Sequence, residues 1–472
     1  MSTSFPSADI VHRLHHLLEA GQQEAVRHDH SILVSLTVEI PPVEPAMLFG
    51  RGPIHERILW EQPSRKFAIV AFGAATRLNG HGKERFSQIT VGWRALVSRT
   101  FGDSTPSCPL SAPISLSGFA FDPTCQSDPG WEEYPDALLV VPHLLFISYQ
   151  GSSWLAVNAL VTPACDRQTI IDGVISTLRA LSLEDPAARG DEQAERIMVQ
   201  YGETQSTRWK KAIVSITNEI EHGTLEKLVL ARQVTAHASR SIDSGSVIHR
   251  LRNGYGHCTV FAFASTRSCF VGATPERLVR LEGTTVQTDC LAGSTRRGTT
   301  PDEDRMLGET LLANHKERRE HALVRGALHE ALTPFCARLT VPDTPSLLRM
   351  PNVQHLYTPL EGVLKEAGDI FGLVERLHPT PATGGLPRET ARSLLRAYED
   401  FERGWYAGPV GWVDGRGGGE FVVAIRSALL RGRDARLYAG CGIVSGSDPD
   451  REYQESCLKL RPMLWALNGK VM

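Results

Sequence analysis

Apolar residues recur along this chain in two rhythms, about 3.6 residues and two residues, which predict helices and strands respectively. Ile10, Leu14, Leu17 and Leu18 form one stripe and predict an amphipathic helix over 8–28. Strand-like runs follow at Ser31–Ile40, Arg57–Gln62 and Lys66–Gly73. Phe86, Ile89, Trp93 and Leu96 share one side of a predicted helix over 83–100. Further strands are expected at Ile114–Phe121, Ala137–Val141, Leu144–Tyr149 and Ser153–Leu160, then a helix at about 167–182. The second half continues the mixture, with helices at about 203–222 and 388–401 and one long helix from Thr300 to Leu332. Its strands are expected at Lys227–Ala236, Cys258–Ser265, Cys269–Ala273, Arg277–Leu281, Gly408–Asp414, Glu420–Leu430 and Arg436–Gly440. Hairpin-like spacing between several strands points to an α+β fold rather than regular βαβ alternation. The polar stretch EDPAARGDEQAE at 184–195 is the expected linker. It divides an N-terminal scaffold region, 1–195, from a catalytic region, 196–472, where acids and bases cluster.

Composition changes this picture little. With 472 residues, 42% hydrophobic and 22% charged, the chain is ordinary globular material, long enough to bury a large core. A net charge of −3 gives no electrostatic reason to expect nucleic acid or an anionic membrane as partner. Nine scattered cysteines without a C-x-x-C argue against a disulfide framework or a cysteine zinc site and fit a reducing cytosol. The N-terminus lacks the basic start and apolar core of a secretory signal, and no run of about 18 apolar residues predicts a membrane span. A cytoplasmic monomer is expected, because no unclaimed heptad pattern is present. His12, His15 and His16 have no carboxylate or cysteine at metal-site spacing.

Candidate chemistry concentrates in GCGIVSGSDPDREYQESCLK, Gly440–Lys459. Ser447 is the expected N-cap, with Asp448 in the first turn and Pro449 near the first helical position. Glu452, Glu455 and Lys459 then share one helix face. By pattern alone such a strip is either a solvated face or a cleft wall with carboxylates for a divalent cation and a lysine for an anion. Earlier in the chain, Lys227 opens a strand and Glu276 follows Thr274-Pro275 at a strand–turn boundary. Lys316 and Glu320 are an i,i+4 pair on the long helix, readable as a surface ion pair or as part of a cation site. Leu377–Ala391, LHPTPATGGLPRETA, fixes an irregular backbone of the kind often kept at ligand sites. DGRGGG lies between strands and lacks GK[ST], so it is a hairpin loop rather than a phosphate loop. Arg426 alternates with apolar neighbours in its expected strand.

The segments KLVLAR, GATPERL, LAGSTRRG, KERREHALV, HPTPATGGLPR, WYAGPVGW, AIRSAL and AGCGIVSGSDPDREYQESCLK resemble, in this order, the chorismate-utilising enzymes. That family includes anthranilate, aminodeoxychorismate, salicylate and isochorismate synthases. The match is dense over about 200–465; in the N-terminal half, LSGFAFDP, Trp131 and VVPHLLF resemble isochorismate synthases. The resemblance implies a large α+β fold of two related halves, with packed antiparallel-rich sheets and helices outside. It implies Mg²⁺ held by Glu320 and Glu455, with Glu452 close by, and chorismate as the substrate. It places Arg426, Lys459, Gly440 and Gly442 at the substrate carboxylates, and Ala382 and His378 in the substrate site. Lys227 would be the base that activates water and Glu276 the acid that protonates the leaving hydroxyl. A lysine base must be neutral, which burial or nearby cationic charge can arrange, and the acid must be protonated, which desolvation favours.

Three positions separate members of the family. Ammonia-using anthranilate synthases generally have Gln where this chain has Lys227. Aminodeoxychorismate synthases carry a lysine nucleophile where Ala292 stands, and pyruvate-eliminating members typically have Thr where Ala382 stands. All three point to an isochorismate synthase, with menaquinone as the default destination of its product and a catechol siderophore as the other. Thr383, where an aliphatic residue is more usual, and Ser294, where Thr is commoner, depart from the pattern. A salicylate synthase, or another member of the family, is the alternative. An inactive binding subunit is disfavoured because Lys227, Glu276 and both metal carboxylates are present.

Overall fold

The computed structural model describes residues 7–51, 55–124, 128–181, 197–200 and 203–468. The expected linker at 184–195 lies outside them. Among the described residues the strands form two packed sheets, one of 13 strands and one of 10. All pairs are antiparallel except Ile32–Ile40 with Thr100–Ser104. Strands from the two halves of the chain pair directly: Arg57–Gln62 with Thr259–Ala264 in the large sheet, Ser115–Phe119 with Pro409–Val413 in the small one.

The core explains why several strands read as continuous apolar runs. One cluster joins the sheets, with Trp60, Leu228 and Phe261 from the large sheet against Leu116, Val279 and Phe421 from the small one. A second cluster packs Leu14, Leu18, Leu251 and Leu464 from helices onto the other face of the large sheet. A strand covered on both faces, such as Phe67–Phe72, has no polar side to alternate with.

Three expected elements differ. The long helix is two, Pro301–Ala313 and His315–Leu332, because Asn314 is extended and its side chain caps the second by accepting from the Glu317 N–H at 3.1 Å. The expected strand Glu420–Leu430 is also two. Gly419–Val423 lies in the small sheet and Ser427–Arg431 in the large one, and Arg426, at φ +51°, stands in the crossing between them rather than in a strand. The last helix, Pro449–Asn468, is capped one residue later than expected. Asp448 accepts from the N–H groups of Asp450 and Arg451, while the Ser447 hydroxyl accepts from Val444 N–H and tightens the preceding turn.

A second crossing lies beside the first. Cys269–Thr274 belongs to the large sheet and Arg277–Glu282 to the small one, so the strand–turn boundary at Glu276 is a corner between sheets. The corners are hydrogen-bonded to each other: Ala273 N–H donates to the Arg426 carbonyl at 3.2 Å, and Val423 N–H to the Glu276 carbonyl at 3.0 Å.

Candidate active site

The seam made by these corners opens into a cavity. Glu276 and Arg426 line it from the corners, Gly440 and Gly442 from the strand Asp434–Ile443, and Glu455 and Lys459 from the last helix. Glu320 on the helix His315–Leu332 and Ala382 on the irregular segment complete the set. Gly440 and Gly442 are strand residues opposite Ala231 and Val229.

Lys227 is fully buried behind Glu320, with which it forms an ion pair at 2.8 Å. Glu320 therefore faces Lys227 rather than its helical neighbour Lys316, which instead donates to Glu452 at 2.6 Å. Burial alone would raise the Glu320 carboxyl, but the Lys227 ammonium, helped by Lys459 and Lys316, leaves it below its ordinary value. Glu276 has no ion pair among the described residues, and burial pushes its carboxyl up to about 7 against the pull of Lys227, Arg426 and Lys459. Lys459 is paired with Glu455 at 2.6 Å and donates to the Gly440 carbonyl at 2.9 Å.

His378 is not among the cavity residues. Its ring is buried against Phe86 and Phe121, and its Nε2 bonds the Phe121 carbonyl at 3.1 Å, so it props the irregular segment from behind. The histidine at the cavity is His355, from the strand Val353–Leu364. It bridges the Ser294 hydroxyl at 2.8 Å and the Arg426 guanidinium at 3.5 Å. Burial, then the charges of Arg426 and Lys459, push its pKa well below the ordinary value and keep the ring neutral. His355 carries no local sequence signal, because its partners lie 61 and 71 residues away. Tyr406 also lines the cavity and carried no sequence signal beyond its place in WYAGPVGW.

A family model for chorismate binding enzymes matches residues 19–468. The chain belongs to this family. As a chorismate-binding enzyme it is 34% identical to isochorismate synthase MenF of Bacillus subtilis (strain 168), over 98% of this chain and 97% of that protein. It is 37% identical to the salicylate biosynthesis isochorismate synthase of Pseudomonas aeruginosa, over 99% of this chain and 97% of that protein. Among solved structures it resembles MenF, the menaquinone-specific isochorismate synthase from Escherichia coli, with a TM-score of 0.76 at 26% identity, covering 95% of this chain and 99% of that one. Anthranilate synthase component I from Streptococcus pneumoniae shares the fold, with a TM-score of 0.65 at 17% identity over 84% of this chain and 92% of that one.

The donor set of this chorismate-binding enzyme suits a hard divalent cation. Oxygens of Glu452 and Glu455 lie with Cys441 Sγ within 4.8 Å of one another. Burial and the Glu455 charge push Glu452 up to about 7 even with Lys316 beside it, and burial with the Glu320 charge raises Glu317. Burial, with repulsion between neighbouring carboxylates, thus outweighs the lysine beside each. Cys441 contributes no thiolate, since burial holds its thiol well above the ordinary value and it donates to the Glu452 carbonyl at 3.1 Å. The donors left are carboxylate oxygens, and Mg²⁺ is commonly held by one or two of these with water and substrate oxygens completing its shell.

Gly442 is where the backbone must stay bare. A Cβ there would lie 2.1 Å from Glu320 Oε1 and 2.9 Å from Lys227 Cε. Gly442→Ala is expected to lower kcat by about 10²-fold by wedging this pair apart, with the melting temperature and kcat measured on the same preparation. Wild-type kcat in a folded Ala variant would mean the pair's placement is not critical.

Proposed function

We propose that this chain is an isochorismate synthase that interconverts chorismate and isochorismate. The observation that carries the proposal is a buried lysine–glutamate pair whose glutamate, Glu320, lines the same cavity as Glu276, with Lys227 directly behind it; burial pushes the Glu276 carboxyl up to about 7. With the metal holding Glu320, Lys227 would act as the neutral amine and take a proton from water as its oxygen bonds to ring C2. The diene electrons shift around the ring toward C4, and the C4–O bond breaks as Glu276 gives its proton to the departing hydroxyl. Water enters and water leaves, and solvent exchange returns the two groups to their starting forms.

Arg426 and Lys459 supply the positive charge that two substrate carboxylates need, and Arg426 can grip one bidentately. Glu320 and Glu455, with Glu452 beside them, are the residues we assign to Mg²⁺. When bound, the cation would orient the ring carboxylate and draw Glu320's charge away from Lys227. Residues 196–472 supply every one of these side chains, and 1–195 acts as scaffold. We place the enzyme in the cytoplasm as a monomer working on free chorismate, without nucleic acid, its product destined for menaquinone or, alternatively, a catechol siderophore. The described cysteines are unpaired, and among the described residues no helix is long and apolar enough to cross a membrane.

A salicylate synthase is the second reading, and Thr383 favours it. Its hydroxyl is buried at the cavity beside Ala382 without a hydrogen-bond partner among the described residues. Purified protein given chorismate and Mg²⁺ is expected to form isochorismate, to stop on chelation with EDTA and to recover with Mg²⁺. Turnover that survives chelation would remove the metal assignment. Pyruvate release without an added lyase would favour the salicylate reading, and absence of any product would sink the enzyme assignment.

A further inference from the structure

Each of the three carboxylates assigned to the metal is matched by one lysine: Glu320 by Lys227 at 2.8 Å, Glu455 by Lys459 at 2.6 Å and Glu452 by Lys316 at 2.6 Å. The three lysines are not held alike. Lys227 is fully buried, with Gly442 packed against its side chain. Lys459 is 15% exposed and bolted to the Gly440 carbonyl. Lys316 is 30% exposed, and the contacts recorded for its ammonium are to carboxylates, Glu452 and, at 3.6 Å, Glu317. It also sits in the first turn of the helix His315–Leu332, where the helix dipole disfavours a cation. The acidic cluster, not its own helix, keeps it there.

We propose that Lys316 is a displaceable internal counter-ion that competes with the divalent metal for Glu452 and so sets the affinity of the site for it. The proposal rests on the metal reading of Glu320, Glu452 and Glu455. An ammonium 2.6 Å from Glu452 Oε1 holds one of that carboxylate's two oxygens and crowds a cation that takes either of them. Like charges cannot share so small and so buried a space, and Lys316 has an exposed side by which to leave. It neutralises the carboxylates while the metal is away and gives Glu452 up when the metal arrives. The site then binds its metal more weakly than its carboxylates alone would allow.

The test is direct metal binding to the substrate-free full chain, with Mn²⁺ followed by the EPR signal of the free ion and Mg²⁺ by calorimetry. Lys316→Met is expected to tighten Kd at least about tenfold, while Lys316→Arg, which keeps the charge, stays within about threefold of wild type. Lys316→Gln serves as a second uncharged variant should the Met protein fold poorly. An unchanged or weaker Kd in the uncharged variants, with binding lost in Glu455→Gln, overturns the role of Lys316 and leaves the metal reading standing. Absence of binding to wild type and variants alike overturns the metal reading and the proposal with it.

Discussion

Lys227→Gln is expected to lower kcat for isochorismate formation by about 10²–10⁴-fold, with chorismate affinity within about threefold of wild type. Glutamine fits the space of a fully buried lysine but cannot take a proton from water. The substitution also leaves Glu320 without its partner at 2.8 Å. Breaking a buried pair by removing one member costs about 3–5 kcal/mol, because the remaining charge stays desolvated. Metal-free Lys227→Gln should therefore melt earlier than wild type, and excess Mg²⁺ should narrow the gap by giving Glu320 another cation. Steady-state kinetics, calorimetric binding of chorismate and paired melts with and without Mg²⁺ separate lost chemistry from lost stability. A variant that turns over at near the wild-type rate would take the base assignment away from Lys227.

Much of this arrangement is legible in the sequence, and the part that is not has a common cause. Period-two patterning marks a strand and its faces, but it does not say which of two sheets the strand joins. Glu276 and Arg426 therefore looked like a turn residue and a strand residue, although both are corners where the chain passes between sheets. Only the positive φ at Arg426 distinguishes its corner from a continuous strand, and nothing in AIRSAL signals it. Local rules did better where the partner is local. The capping chemistry of the last helix was misplaced by a single residue, between Ser447 and Asp448. The break at Asn314 was missed, although Asn followed three residues later by Glu317 is a capping signature. Helical spacing alone paired Lys316 with Glu320, and long-range charge overruled it. Glu320 turned to Lys227 and Lys316 to Glu452, because a buried carboxylate gains more from a desolvated partner than an exposed i,i+4 pair offers. His378 and His355 show the same limit. Both are buried histidines, and only the fold says which one faces the cavity.

Glu276→Gln is expected to abolish turnover to a similar degree while making the fold more stable above pH 7. Burial pushes the Glu276 carboxyl from its ordinary 4.5 to about 7, and the charges of Lys227, Arg426 and Lys459 offset only part of that. The proton donor is the neutral form, so wild-type kcat/KM should fall above about pH 7 as the group ionises. The stability effect has the opposite sense. From pH 4.5 to 7 the unfolded chain gives up this proton while the folded chain keeps it, so the stabilisation present at low pH is lost as pH rises through the folded value. Glutamine cannot ionise and escapes that loss. The gain in melting temperature over wild type should therefore be small near pH 5, grow toward pH 7 and level off beyond it. Kinetics across pH and melts at pH 5 and 8 test both halves on one pair of proteins. Substantial turnover in the Gln variant would assign the leaving-group proton to another residue, and a variant that melts earlier than wild type at pH 8 would show that the fold favours the Glu276 carboxylate and does not raise its carboxyl.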